Sequence, residues 1–288
     1  MLKDSPTSHI YFSQRLRLHY VAWGDPDAPV LLLIHGGRDH CRNWDWVATV
    51  LKDDYFIVAP DLRGHGDSQW MVGGAYSIVD YIYDVQQLVR QTAIAPMSVI
   101  GHSLGAIISL LYAGNYPENV NRLIAVEGMG IMLNQWRMAT NRMHEHIRGW
   151  VEDVHQLSGR RPRRYATLEE AIQRLQAVNS HLSAEHARHL TIHGSIQNED
   201  GTFSWKFDNY FRVLAPITLS YEETEQIYAR ISCPTLLVHG QDSWVLHPSQ
   251  DERVKSMQDV KVHSIANAGH WCHHDQFDEF LQLIRDFL

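Results

Sequence analysis

Gly101-His102-Ser103-Leu104-Gly105 lies between a short apolar run (residues 97–100) and a stretch of small and apolar residues (106–111). The first reads as a strand and the second as a helix. No other junction constrains this chain as strongly. A serine at so sharp a strand-to-helix turn is held in a strained backbone conformation with its hydroxyl exposed. The flanking glycines remove the Cβ atoms that would collide across the turn. The helix that begins there aims its free N–H groups at charge developing near that hydroxyl.

The surroundings supply a sheet to carry such a turn. Strand-like and helix-like segments alternate through the first half. Leu16–Trp23 reads as a strand, and Val30–Ile34 is an uninterrupted apolar run of the kind buried on both faces. Residues 44–51 are helical in pattern and 55–59 form the next strand. Ile78–Thr92 has helical apolar spacing, and 123–126 is another strand. This alternation predicts an α/β fold, with a mostly parallel central sheet flanked by helices. From residue 129 to 230 the pattern changes. No buried strand is evident there, and the segments 135–157, 167–179, 184–190 and 221–231 look helical, with a loop at 194–201. Strands return at 234–239 and Val260–Ile265, and a helix closes the chain at 277–288. A helical insertion therefore interrupts a regular sheet domain. The arginine-rich run 159–164 reads as an exposed loop between helices.

Composition narrows the function classes. With 288 residues, 44% hydrophobic and 20% charged, the chain has the makeup of a soluble globular protein large enough for a sizeable core. A formal net charge of −8 argues against a general nucleic-acid binder, which needs a basic surface. The three cysteines (Cys41, Cys233 and Cys272) are an odd number without a Cys-x-x-Cys pair, which points to a reducing compartment. Residues 1–14 are polar and lack the apolar core of a signal peptide, and no run is long enough to span a bilayer. A cytoplasmic location, with neither a membrane nor a nucleic-acid partner, is expected.

A serine hydroxyl becomes a nucleophile only when an oriented base takes its proton. Ala268-Gly269-His270-Trp271 follows the last strand and precedes the closing helix, which singles out His270 among 19 histidines. Nearby Cys272, His273 and His274 are adjacent rather than spaced for one helix face, so no metal site is expected. Two carboxylates compete to orient the base. Glu127 ends the apolar strand at 123–126, where a carboxylate is unusual unless it has a partner. Asp242 lies in Gly240-Gln241-Asp242-Ser243, after the penultimate strand.

The order of strand and His35-Gly36, then the Ser103 pentapeptide, then an acid, then Gly269-His270 resembles the α/β-hydrolase superfamily over the whole chain. In this resemblance residues 1–128 and 231–288 correspond to the family's core and 129–230 to its helical cap. Asp61-Leu62-Arg63-Gly64-His65-Gly66-Asp67-Ser68 also resembles a loop frequent in the family and is read as a structural turn under the site. The resemblance implies Ser103 as nucleophile and His270 as general base and then acid. It implies the backbone N–H groups of Gly37 and Leu104 as oxyanion donors, and no cofactor. The family's usual acid position follows the penultimate strand as Gly-x-x-Asp. Here the aspartate is one residue early and a serine fills the slot. Some members, among them the lactone-cleaving zearalenone hydrolases, resemble the alternative arrangement with a glutamate after the earlier strand. Glu127 is therefore favoured, with Asp242 as the alternative.

A serine nucleophile implies acyl transfer, on an ester, thioester, lactone or amide. The same triad serves cofactor-free C–C bond hydrolases, and a non-catalytic ligand-binding relative is a further alternative. The insertion is rich in aromatic residues and in methionine. Trp136 and Trp205 from it, Trp271 beside the base, and Arg38 beside the oxyanion loop are the candidate substrate contacts. The expected substrate is a medium-sized, uncharged, partly hydrophobic ester or lactone.

Overall fold

The structure, a computed structural model, describes residues 5–129, 143–160, 162–213, 215–216 and 218–288. Eight strands form one sheet: β1 (Thr7–Ser13), β2 (Leu16–Trp23), β3 (Val30–Ile34), β4 (Phe56–Pro60), β5 (Met97–His102), β6 (Val120–Val126), β9 (Thr235–Gly240) and β10 (Val260–Ile265). Their spatial order is β1-β2-β4-β3-β5-β6-β9-β10. β1–β2 and β2–β4 pair antiparallel and every other pair is parallel. This is the mostly parallel, helix-flanked sheet that the alternating pattern predicts.

Period-two alternation splits the core into two layers. Leu32 and Ile34 of β3 face one side and pack with α2 (Ile78–Thr92) and α3 (Leu104–Asn115). Leu31 and Leu33 face the other side, with α1 (Asp45–Leu51) and the C-terminal helix α8 (Phe277–Phe287). α2 buries Ile78, Tyr81, Ile82, Val85, Leu88 and Val89 at helical spacing. It starts where the Ser77 side chain accepts from the Val79 amide.

Between β6 and β9 the described residues form α4 (Met143–Leu157), α5 (Leu168–Val178), α6 (Ala184–Gly194) and α7 (Tyr221–Tyr228). The segment read as a loop at 194–201 instead opens a hairpin. β7 (Ser195–Gln197) pairs antiparallel with β8 (Phe203–Trp205). Strands of three residues around a polar turn carry too little apolar alternation to be read from sequence. β1 was equally invisible. It is an edge strand, largely exposed, whose polar Thr7, Ser8 and His9 need only the β2 backbone as partner.

Candidate active site

The serine turn is built by close approach. A Cβ at Gly105 would lie 2.2 Å from the Ile34 carbonyl oxygen, and one at Gly101 would lie 2.4 Å from the Gly105 carbonyl oxygen. Only glycine lets α3 start hard against the sheet there. Ser103, between β5 and α3, has φ 53° and ψ −116°, and its amide donates to the Val126 carbonyl at 2.8 Å. Six non-glycine residues among those described have positive φ. Three of them (Arg38 at 64°, Ser103 at 53° and Glu127 at 57°) gather here, so backbone strain is concentrated at this end of the sheet.

Ser103, His270 and Glu127 are hydrogen-bonded in series. The Ser103 hydroxyl donates to His270 Nε2 at 3.0 Å, and His270 Nδ1–H donates to Glu127 Oε2 at 3.0 Å. Glu127 is buried just past β6. The Gly240 amide donates to its Oε1 at 2.7 Å, and the Ser243 hydroxyl donates to Oε2. The serine in the family's usual acid slot thus contacts the glutamate that reaches the imidazole. Asp242 is exposed, its amide donating to the Ala268 carbonyl at 2.9 Å, and its side chain makes no hydrogen bond with His270. Burial raises the Glu127 carboxyl, opposed by these two donors. Burial lowers the His270 imidazole, and the Arg38 guanidinium adds to that.

His102 carries no role in the sequence reading, because the residue before the nucleophile is variable in the motif. In the structure its Nε2–H donates to the His270 carbonyl at 2.8 Å, so β5 grips the loop that bears the imidazole. Trp244 also escaped the sequence reading. Its ring lies 4.9 Å from that of His270 although it is 69% exposed, which sets a large aromatic face at the mouth of the site. The 61–68 loop is held by buried Asp61, which accepts from the Cys41 and Asp67 amides and the His19 ring. Among the described residues, the Gly37 and Leu104 amides have no protein acceptor. Gly37 is covered by Phe211, which a Cβ at position 37 would approach to 2.8 Å.

A cavity of about 280 Å³ opens beside this constellation, bordered by Gly37, Arg38, Trp205, Phe207, Arg212 and Trp271. It thus brings together Arg38, Trp205 and Trp271 from the sequence candidates. Trp136 lies outside the described residues. His273 and His274 are buried, and His273 Nε2–H donates to the Asn43 side-chain oxygen at 2.8 Å. Two other groups among the described residues bring possible metal ligands within 4.8 Å of one another, namely His19/Cys41/Asp61 and Asp45/His189/His193. In both the carboxylate is already engaged, by the Cys41 and Asp67 amides in the first and by the Arg42 guanidinium in the second.

The sheet order and the strand–serine–helix turn define the α/β-hydrolase class. The chain belongs to the alpha/beta hydrolase fold family, which it matches over residues 29–277. It is 24% identical over 273 residues to a serine hydrolase-like protein of Danio rerio, covering 92% of this chain and 83% of that protein. It is 24% identical over 286 residues to an esterase of Mycobacterium tuberculosis, covering 99% and 91%. Among solved structures, a thioesterase domain from the curacin biosynthetic pathway superposes with a TM-score of 0.80 at 23% identity, covering 98% of this chain and 99% of that one. No helix of the described residues is long and apolar enough to cross a membrane.

Proposed function

We propose that this chain is a serine hydrolase that cleaves a carboxylic ester or lactone of a medium-sized, partly hydrophobic molecule through an acyl-enzyme. One observation carries the reading: the unbroken hydrogen-bond series from Ser103 through His270 to buried Glu127. Ser103 Oγ attacks the carbonyl carbon as His270 Nε2 takes its proton. Glu127, accepting from Nδ1–H, holds the tautomer whose Nε2 lone pair faces the serine. The carbonyl oxygen becomes an oxyanion that accepts from the Gly37 and Leu104 amides, and each such donor contributes about 10²–10³ in rate. The bond to the leaving alcohol then breaks, and His270 returns the proton to the departing oxygen. Water attacks the acyl-enzyme, His270 again takes a proton, and the acid leaves with the Ser103 hydroxyl restored. In a lactone the alcohol and acid remain on one molecule.

Residues 129–230 serve as a cap over the core formed by 1–128 and 231–288, with Trp205 as a wall of the pocket and Arg38 and Trp271 as walls from the core. The esterase and serine hydrolase-like names of the relatives support the ester-type bond and the serine chemistry. A fluorophosphonate probe is expected to form a single covalent adduct, located by peptide mass spectrometry on Ser103. Absence of that adduct while p-nitrophenyl esters are turned over rejects the assignment.

The pH profile supplies a second check. The active form has a neutral imidazole, and the Arg38 guanidinium disfavours the imidazolium. Removing that cation raises the imidazole pKa, so protonation sets in at higher pH. Arg38→Gln is therefore expected to move the acid limb of kcat/KM upward, measured between about pH 4 and 8 on a p-nitrophenyl ester.

A further inference from the structure

We propose that Arg38 and Arg212 form an anion-binding subsite, so that the substrate carries a carboxylate or phosphate beside its scissile ester. The proposal rests on the serine-hydrolase reading of the same site and adds a charge to the uncharged substrate that composition alone suggested.

Phe211 seats on Gly37, and the arginines next to that contact, Arg38 and Arg212, line the same cavity. Both arginines are exposed, so two like charges meet at the solvent-facing rim of the cavity. Arg38 is held in a left-handed backbone conformation at φ 64°, which an arginine adopts only under constraint. Partial desolvation at the rim and the Arg212 charge both lower its pKa. Among the described residues neither guanidinium makes an ion pair. The one carboxyl lining the cavity, Asp39, is committed elsewhere. It accepts from the Asn43 side chain and, at 2.9 Å, from the His40 amide, and burial pushes it up to about 6.

Arg163 and Arg174 line the cavity further out, with Arg163 stacked 5.1 Å from the centre of the Tyr165 ring. A chain of net charge −8 thus surrounds this cavity with four arginines. Such a local reversal of sign draws in an anion, and the planar guanidinium fork suits two-oxygen acceptors. Arg38 is the neighbour of Gly37, which puts the anion close to the reacting carbonyl. The aromatic walls contributed by Trp205, Phe207 and Trp271 leave room for an apolar spacer between the two.

The test is binding without turnover. Monomethyl glutarate, monobutyl phosphate and the neutral ester methyl pentanoate are titrated into the full chain carrying Ser103→Ala, followed by ligand-observed NMR. One of the two anions is expected to bind at least about tenfold tighter than methyl pentanoate, and which one does so identifies the oxyanion. Adding Arg38→Gln or Arg212→Gln is expected to cut that preference to about threefold or less, with thermal melting confirming that the fold is kept. Equal binding of anions and neutral ester, no detectable binding of either anion, or a preference that survives both arginine substitutions overturns the proposal. Ester turnover plays no part in this readout, so failure of the subsite and failure of the serine chemistry are told apart.

Discussion

Ser103→Ala is expected to lower kcat on a p-nitrophenyl ester by about 10⁶-fold, to the level supported by binding and oxyanion donors alone. On the proposed mechanism the loss is large because the hydroxyl is the only group in the series able to form the acyl intermediate. The imidazole and carboxylate then have nothing to activate. The backbone at position 103 keeps its positive φ with alanine, and the Ser103 amide still donates to Val126, so the melting temperature is expected to move by only a few degrees. A variant that keeps its fold and retains turnover within about tenfold of the parent contradicts the assignment.

Glu127→Gln is expected to lower kcat by about 10⁴-fold. An amide at this position can present its NH₂ to the imidazole, favouring the tautomer with the proton on Nε2, and that form cannot accept from Ser103. Asp242→Asn is the internal control. That side chain is exposed and without a bond to His270, so its neutralisation is expected to change kcat by less than about twofold. Measuring both variants at matched folded fraction decides between the two carboxylates. A greater loss in Asp242→Asn reverses the choice.

How far the site could be read from sequence depended on the reach of each signal. Ser103 was legible because its flanking glycines answer a local steric demand, seen in the 2.4 Å that a Cβ at Gly101 would leave to the Gly105 carbonyl oxygen. Glu127 was legible because a carboxylate ending an apolar strand calls for a partner. The one-residue offset of Asp242 was visible, but its meaning was not. Only the fold shows that Ser243 turns its hydroxyl to Glu127 while Asp242 faces solvent. The grip of His102 on the His270 carbonyl left no trace in spacing, since it joins two strand ends far apart in the chain.

Patterns of period two and 3.6, glycine punctuation and the order of motifs were enough to specify the layered sheet, the helices on its two faces and the serine turn. Each of these leaves a local mark in the chain, a repeat or a glycine at a turn, even where the strands that pair are far apart in sequence. The pairing of Arg38 with Arg212, the cavity they share, the β1 edge and the β7–β8 hairpin were decided by tertiary structure. Arg38 and Arg212 stand far apart in the chain and meet only through packing, whereas β1 and the β7–β8 hairpin pair with near neighbours but are held by backbone hydrogen bonds that write too little apolar alternation into their polar or three-residue strands.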